Sequence, residues 1–221
     1  MLEPHLFGTL PAVELRRLAS VARRRSFRRS EVVFHRGDPA DTLHLIKKGR
    51  FAARVTTRLG QTATISVHGP GEAFGELALV DADARRSTTV AALEAAETYA
   101  VHQDDFHRLR RQYPSVNDVL VQLLARRTRR VSERLVEALF VPAETRVLRR
   151  VCELARFYGE TRAGHVIPLS QEDIAGLAGT SRATVNRVLG AERERGTVDV
   201  NRGRTLVLDL QAIERHSRAE A

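Results

Sequence analysis

The chain has 221 residues, with 36 Lys and Arg against 27 Asp and Glu, a formal net charge of +9. At that length one or two domains fit, each large enough for its own core, and 43% hydrophobic residues exclude a disordered chain. The longest apolar runs are four residues, such as Leu77–Val80, which excludes a membrane-spanning helix, and the single Cys152 excludes a disulfide framework, a zinc ribbon and a cysteine-ligated iron–sulfur cluster.

The first residues, Met1-Leu2-Glu3-Pro4-His5, lack the basic-then-apolar pattern of a secretory signal, so the expected compartment is a reducing cytoplasm, with no membrane partner. Among the basic residues only Lys47 and Lys48 are lysines. Arginine binds phosphate and guanine with a planar fork, so the surplus permits nucleic-acid contact; arginine-rich coding bias explains it equally well. Residues 1–141 carry 23 basic and 16 acidic groups, and residues 142–221 carry 13 and 11. The bulk charge therefore points at neither half, and any DNA-binding claim rests on local pattern.

Residues 11–24 read as a helix, with Pro11 in its first turn and Val13, Leu15, Leu18 and Val21 on its apolar side. From Phe27 to about Val101 short runs of Val, Ile, Thr and Phe are cut by turn signals at 37–39, 47–49, 59–61 and 69–71, the texture of a β-sandwich or barrel. Leu43-His44-Leu45-Ile46 is one strand, with His44 turned to the face opposite its leucine neighbours, and Phe51–Thr57 is the next. Residues 104–111 make a short helix, and Pro114 resets the chain. A long helix then runs from about Ser115 to Phe140, with Val121, Leu124, Thr128, Val131, Leu135 and Ala138 in a narrow seam. Arg126, Arg127, Arg129 and Arg130 lie off that seam. A helix packed on its own domain is the plain alternative; the narrow stripe and charged flanks favour a helix-to-helix homodimer. Val141-Pro142 breaks the helix as a hinge, and residues 143–158 form another, carrying Cys152 as a small buried residue.

Residues 168–189 have helix–turn–helix spacing. Ser170 and Asp173 resemble a capping box, Ile174 and Leu177 form the apolar face, Ala175 allows a close crossing, and Gly179 supplies the turn. Thr180 or Ser181 caps the second helix, and Val185, Val188 and Leu189 fix it to the first. Ser181, Arg182, Ala183, Asn186 and Arg187 are left facing outward; Arg can fork onto guanine and Asn can pair with adenine. An ordinary helical hairpin shares such a turn. The segment Thr197–Leu208 strengthens the reading: it is a β-hairpin with Arg202 and Arg204 at its tip, and His165-Val166-Ile167 makes a third strand. Together they describe a winged helix whose tip arginines lie along DNA phosphates.

In the β-region, residues 71–90 stand apart: Gly75-Glu76-Leu77 can begin a helical turn with N–H groups aimed at an anion, Glu76 can accept from a ribose hydroxyl, and Arg86-Ser87 offer a cation and a hydroxyl to a phosphate. A buried Arg–Glu pair inside a sandwich is the plainer reading of the same residues. With F-G-E-L at 74–77 and R-S at 86–87, A-R-R-T-R-R-V-S-E-R-L at 125–135 and T-S-R-A-T-V-N-R at 180–187, the sequence resembles the cyclic-AMP receptor protein and fumarate–nitrate regulator family of bacterial transcription factors over nearly its whole length.

The resemblance implies an α+β chain. An N-terminal cyclic-nucleotide-binding β-roll, or jelly roll, fills residues 1–114, a dimerisation helix and hinge fill 115–141, and a winged helix–turn–helix fills 142–221. It implies that Gly75, Glu76, Leu77, Arg86 and Ser87 form a phosphate-binding cassette, with Glu76 on the ribose hydroxyl and Arg86 and Ser87 on the cyclic phosphate. Arg85 is a solvated neighbour, and Thr88 stands where relatives have a small residue and can still touch the ligand. Arg127 and Ser132 match positions lining the base pocket, Ser132 reaching from the partner subunit. Val131 departs, because cyclic-AMP receptors place a hydroxyl there to bond the adenine amine. Arg182 and Arg187 match base-reading arginines, and Ala183 departs from a glutamate that reads cytosine. The implied effector is a cyclic nucleotide, cyclic AMP ahead of cyclic GMP, and no metal is expected. The implied partners are double-stranded DNA, a second copy of the chain and RNA polymerase. Two other readings compete: a regulator active without effector, which Val131 favours, and a cupin-type metal enzyme, which lacks any H-x-H followed by a Glu at ligand spacing.

Overall fold

A computed structural model describes residues 12–56, 62–80, 84–162, 164–201 and 203–219. Pro11, the turn signal at 59–61 and Arg202 lie outside the described residues. The chain divides into two compact units, residues 1–55 with 66–130, and residues 56–65 with 131–221.

The first unit opens with α1 (Ala12–Val21). This helix is shorter than its apolar period suggests, because Arg23–Phe27 pair instead as strand β1 with β8 (Ala96–His102), from Arg23 opposite Ala100 to Phe27 opposite Ala96. Leu18 is fully buried, while Val13 points outward. The remaining strands are β2 (Val32–Phe34), β3 (Thr42–Lys48), β4 (Phe51–Thr56), β5 (Thr62–His68), β6 (Ala73–Phe74) and β7 (Thr89–Ala92). They form two four-stranded sheets, ordered β1-β8-β3-β6 and β2-β7-β4-β5. At the β3–β4 turn Gly49 sits at φ +76, and a Cβ there would stand 2.6 Å from that of Ala96, so the turn excludes any larger residue.

Strand β3 is buried on both faces, and its alternation sorts side chains between two cores. Leu43 and Leu45 join Leu18, Tyr99, Val101, Phe106 and Val116 beneath the helices. Ile46 joins Phe27, Phe51, Phe74 and Val90 in the second core. His44 does turn away from its leucine neighbours, but into buried surroundings: its ring stacks on Phe74 at 5.0 Å between centroids, and Nδ1 meets Thr98 Oγ1 at 3.1 Å. Burial there pushes its pKa down to about 3.

Helix α2 (Gln103–Gln112) leads to α3 (Val116–Phe140). Val116, Val119 and Leu120 anchor the start of α3 in the core, and half-buried Leu124 packs on the same cluster. Leu124 therefore belongs partly to the core rather than wholly to an outward seam. Beyond it the helix exposes a broad apolar stripe, with Val131, Leu135, Val136, Leu139 and Phe140 all more than half exposed.

The second unit contains α4 (Ala143–Tyr158), β9 (Glu160–Thr161), β10 (Gly164–Ile167), α5 (Gln171–Ala178), α6 (Arg182–Glu194), β11 (Val198–Asn201), β12 (Arg204–Val207) and α7 (Leu210–Ala219). Its sheet runs β11-β12-β10-β9, so the expected hairpin and its third strand are both present, with His165 opposite Val207. Val147, Leu148, Val151 and Ala155 of α4 are buried together with Ile174, Val185 and Ile213. Cys152 is also buried, and loss of solvent pushes its thiol up to about 11, the behaviour of a packing residue rather than a nucleophile.

Candidate functional site

The first unit carries a partly open pocket, with about 410 Å³ of empty space when the adjoining solvent is included. Gly75, at φ +84, precedes a single helical turn, Glu76–Leu79. A Cβ at Gly75 would stand 2.6 Å from Arg86 Nη1 and 2.7 Å from the Thr42 carbonyl, so glycine alone lets the backbone come this close to the guanidinium. Arg86 is 6% exposed. It donates to the Thr42 carbonyl at 2.8 Å and to Asp41 Oδ1 at 3.3 Å, and its guanidinium carbon lies 4.1 Å from the centre of the Phe34 ring. Burial lowers its pKa, opposed by the carboxylates of Asp41, Asp38 and Glu76. For Asp41, burial acts to raise the pKa, but the Thr42 hydroxyl and Arg86 outweigh it and hold the carboxyl below its usual value.

Arg86 Nε is buried and has no partner among the described residues. A buried donor on a cation, beside a glycine turn, fits an incoming anion such as a phosphate. Glu76 is 4% exposed, and its Oε1 accepts from Arg127 Nη1 of α3 at 2.6 Å. Leu77, Ser87 and Thr88 complete this part of the lining, with Leu77 and Ser87 exposed and Thr88 buried. Val131 and Ser132 do not belong to it: they lie one turn beyond Arg127 on α3, both exposed. Arg85 is exposed as expected, with Nη1 on the Gly37 carbonyl at 3.2 Å.

Sequence reasoning misses Phe34, Asp41, Thr42, Ser66 and His68. Asp41 stands 45 positions before Arg86, with no motif to connect them. His68 reads in sequence as one of several scattered histidines, yet it lines the cavity.

The second candidate surface is the helix–turn–helix. Ser170 accepts from the Asp173 N–H at 3.1 Å while Asp173 accepts from the Ser170 N–H at 3.2 Å, a complete capping box for α5. Gly179 ends α5 at φ +61, and Ser181 caps α6 by accepting from the Thr184 N–H at 3.2 Å. Val185, Val188 and Leu189 are buried, which leaves Ser181, Arg182, Ala183, Asn186 and Arg187 exposed on the first turns of α6. Arg204 is exposed at the start of β12.

Three supports of this surface escape the sequence. Arg146 of α4 donates to the carbonyls of Ala178 at 2.9 Å, Gly179 at 3.0 Å and Val141 at 2.7 Å, satisfying the end of α5 that the turn leaves open. Glu144 accepts from Arg187 Nη2 at 2.5 Å, and that bond holds the carboxyl below its usual pKa. Glu192, 1% exposed, accepts from Thr197 Oγ1 at 2.6 Å and lies 3.0 Å from His216 Nδ1, tying the far end of α6 to α7. None of these partners stands at a spacing that a motif would flag.

Known proteins match on both counts. The cyclic nucleotide-binding domain family matches residues 24–113, and the Crp-like helix-turn-helix domain family matches residues 145–216. The cyclic AMP receptor protein of Thermus thermophilus is 34% identical over 209 residues, covering 95% of this chain and 94% of that protein. A CRP-like cAMP-activated global transcriptional regulator of Mycobacterium tuberculosis is 29% identical over 195 residues, 87% of each chain. Among solved structures, a CRP-family transcriptional regulator from Thermus thermophilus superposes with a TM-score of 0.75 at 27% identity, covering 88% of this chain and 96% of that one. With the β-roll, the helix–turn–helix and a relative this similar over nearly its full length, the chain belongs to the cyclic-AMP receptor protein and fumarate–nitrate regulator family, whose members regulate transcription rather than catalyse reactions.

Proposed function

We propose that the chain is a homodimeric transcription regulator controlled by a cyclic nucleotide, cyclic AMP ahead of cyclic GMP, held in the β-roll cavity. The observation that carries this reading is the pair of oppositely charged, buried side chains Arg86 and Glu76 on one cavity wall, with the unpartnered Arg86 Nε. Arg86, Ser87 and the Gly75–Leu77 backbone receive the cyclic phosphate, and Glu76 accepts from the ribose hydroxyl. Two relatives named for cyclic AMP support the choice of effector. In the second unit, Arg182, Asn186 and Arg187 read base edges in the major groove, with Ser181 and Ala183 at the same edge, while Arg202 and Arg204 lie along phosphates. RNA polymerase is the further partner, and the cytoplasm the compartment.

The switch is a population shift. Arg127 is held by Glu76 and sits on α3, which continues to Phe140. A ribose that engages Glu76 competes for this pairing and so biases how two α3 helices meet. The winged helices then turn about Val141-Pro142 until both recognition helices face successive major grooves. The exposed stripe supplies the dimer contact. Leu135→Glu with Leu139→Glu should give monomers in sedimentation, and a persistent dimer would refute the assignment.

Calorimetric titration of the full chain with each nucleotide tests the effector directly. Binding of either, with tighter operator DNA binding in its presence, is the expected result. If neither binds at millimolar concentration, a regulator active without effector takes over, the reading favoured by the apolar Val131.

A further inference from the structure

The two outward arginines of α6 are held differently. Arg182 is exposed on the first turn and has no hydrogen-bond or ionic partner among the described residues. Arg187 Nη2 instead donates to Glu144 Oε1 of α4, 43 positions earlier in the chain, at 2.5 Å. The Arg187 side chain is still 66% exposed, so it remains open to a partner in solution. The Glu144 carboxyl is itself held: the bond from Arg187, followed by one from its own backbone N–H, keeps its pKa below the usual value.

We propose that Glu144 is a positioning residue for DNA recognition: it braces Arg187 toward one base pair, which is then read more strictly than an unbraced arginine would read it. The inference rests on Arg187 being a base reader. A plainer role exists for Glu144, an acidic group favoured in the first turn of α4 by the helix dipole. That role needs only a carboxylate near the helix start, and does not call for a bond to the recognition helix.

The brace can work because its base does not move relative to α6. Helix α4 packs against α5 and α6, and Arg146, next to Glu144 but one along the helix, donates to the Ala178 and Gly179 carbonyls that lead into α6. An arginine on an open helix surface samples many rotamers, and that freedom is lost when it meets a base edge. Glu144 removes part of it before DNA arrives. The guanidinium has donors to spare: one bond to Glu144 leaves enough for the bidentate pair that guanine O6 and N7 accept. The carboxylate also repels phosphate, which discourages Arg187 from settling for a contact that carries no sequence information.

The test uses the full chain with cyclic AMP present at millimolar concentration. Binding-site selection on wild type gives the operator, and the base pair whose preference is lost in Arg187→Ala is the pair that Arg187 reads. Affinity is then measured for that operator and for a copy with this pair replaced. Glu144→Ala should cut the ratio of the two affinities about fivefold, the worth of one side chain ordered in advance. Glu144→Gln keeps an acceptor without the charge and should cut it about twofold. The pair relaxed by Arg182→Ala serves as the control and should keep its preference in both variants. A merely structural role, or a general effect of the lost charge, would shift both DNAs alike and leave the ratio standing. That result, or an equal loss at the Arg182 pair, overturns the inference while the DNA-reading assignment stands. Should Glu144→Ala fail to fold, Glu144→Gln decides by itself. If Arg187→Ala relaxes no base pair, the base-reading assignment fails and the inference falls with it.

Discussion

The cavity and the reading helix present charge in opposite ways. In the cavity Arg86 and Glu76 are buried, and each is held by partners far away in sequence: Asp41, Thr42 and Phe34 for one, Arg127 for the other. On α6 the arginines are exposed: Arg182 follows a cap at Ser181 and a glycine turn a few residues away, and Arg187 pairs at the surface with Glu144 of α4. Burial makes the first set costly to hold and strong toward a ligand, since a desolvated cation gains more from an anion than a solvated one does. Exposure makes the second set cheap to hold and adaptable, with affinity that falls as salt rises.

That contrast predicts a graded set of effects. Arg86→Ala should produce the largest, a loss of cyclic-nucleotide affinity of at least about hundredfold, because the phosphate is left without its charge partner. The melting temperature should change little, since removing a desolvated cation also relieves the burial that lowers its pKa. A large drop in melting temperature with binding retained would mean that Arg86 is a structural ion and the contrast is misdrawn.

His44 tests the cost of burial without any ligand. Its folded pKa of about 3 lies well below the ordinary histidine value of 6.5. The unfolded chain therefore takes up a proton that the folded chain refuses. Stability from this residue is complete above about pH 6.5 and is lost as pH falls toward about 3, at up to about 1.4 kcal/mol per pH unit. Denaturant melts across that range should show His44→Asn with a shallower slope than wild type. Equal slopes would place the ring in contact with water.

On the exposed side the effects should be smaller and should divide by role. Arg182→Ala should cost about 1–3 kcal/mol of operator binding and relax the preference at one base pair. Arg204→Ala should weaken all sequences alike and reduce the salt slope by about one. A binding-site selection on each variant separates them, and a relaxed base preference in Arg204→Ala would reverse the assignment. Arg146→Ala should have the smallest effect on the folded unit, about 1–2 kcal/mol of stability in denaturant melts, because the carbonyls of Ala178 and Gly179 lose their donor but partly regain water.

The order and type of the main elements were legible because they follow local rules. Apolar period, turn glycines and caps act within a few residues, so α4 occupies 143–158 as read, the capping box at Ser170 forms, and the β11–β12 hairpin closes against β10. Where a longer-range partner competed, local period failed: Arg23 and Arg24 left α1 because β8 supplied their backbone with hydrogen bonds.

What the sequence by itself determined is therefore the architecture, the recognition helix with its outward residues, and the Gly75-Glu76 and Arg86-Ser87 motif. Only the tertiary structure decided which groups face those residues. It brought Asp41 to Arg86, Arg127 to Glu76 and Glu144 to Arg187. It also packed one side of the half-buried Leu124 against the core and left Val131 exposed. The physical reason is range. Capping and periodicity are settled by neighbours along the chain, whereas the charge and hydrogen-bond partners of a buried group are set by whichever segments the fold packs around it.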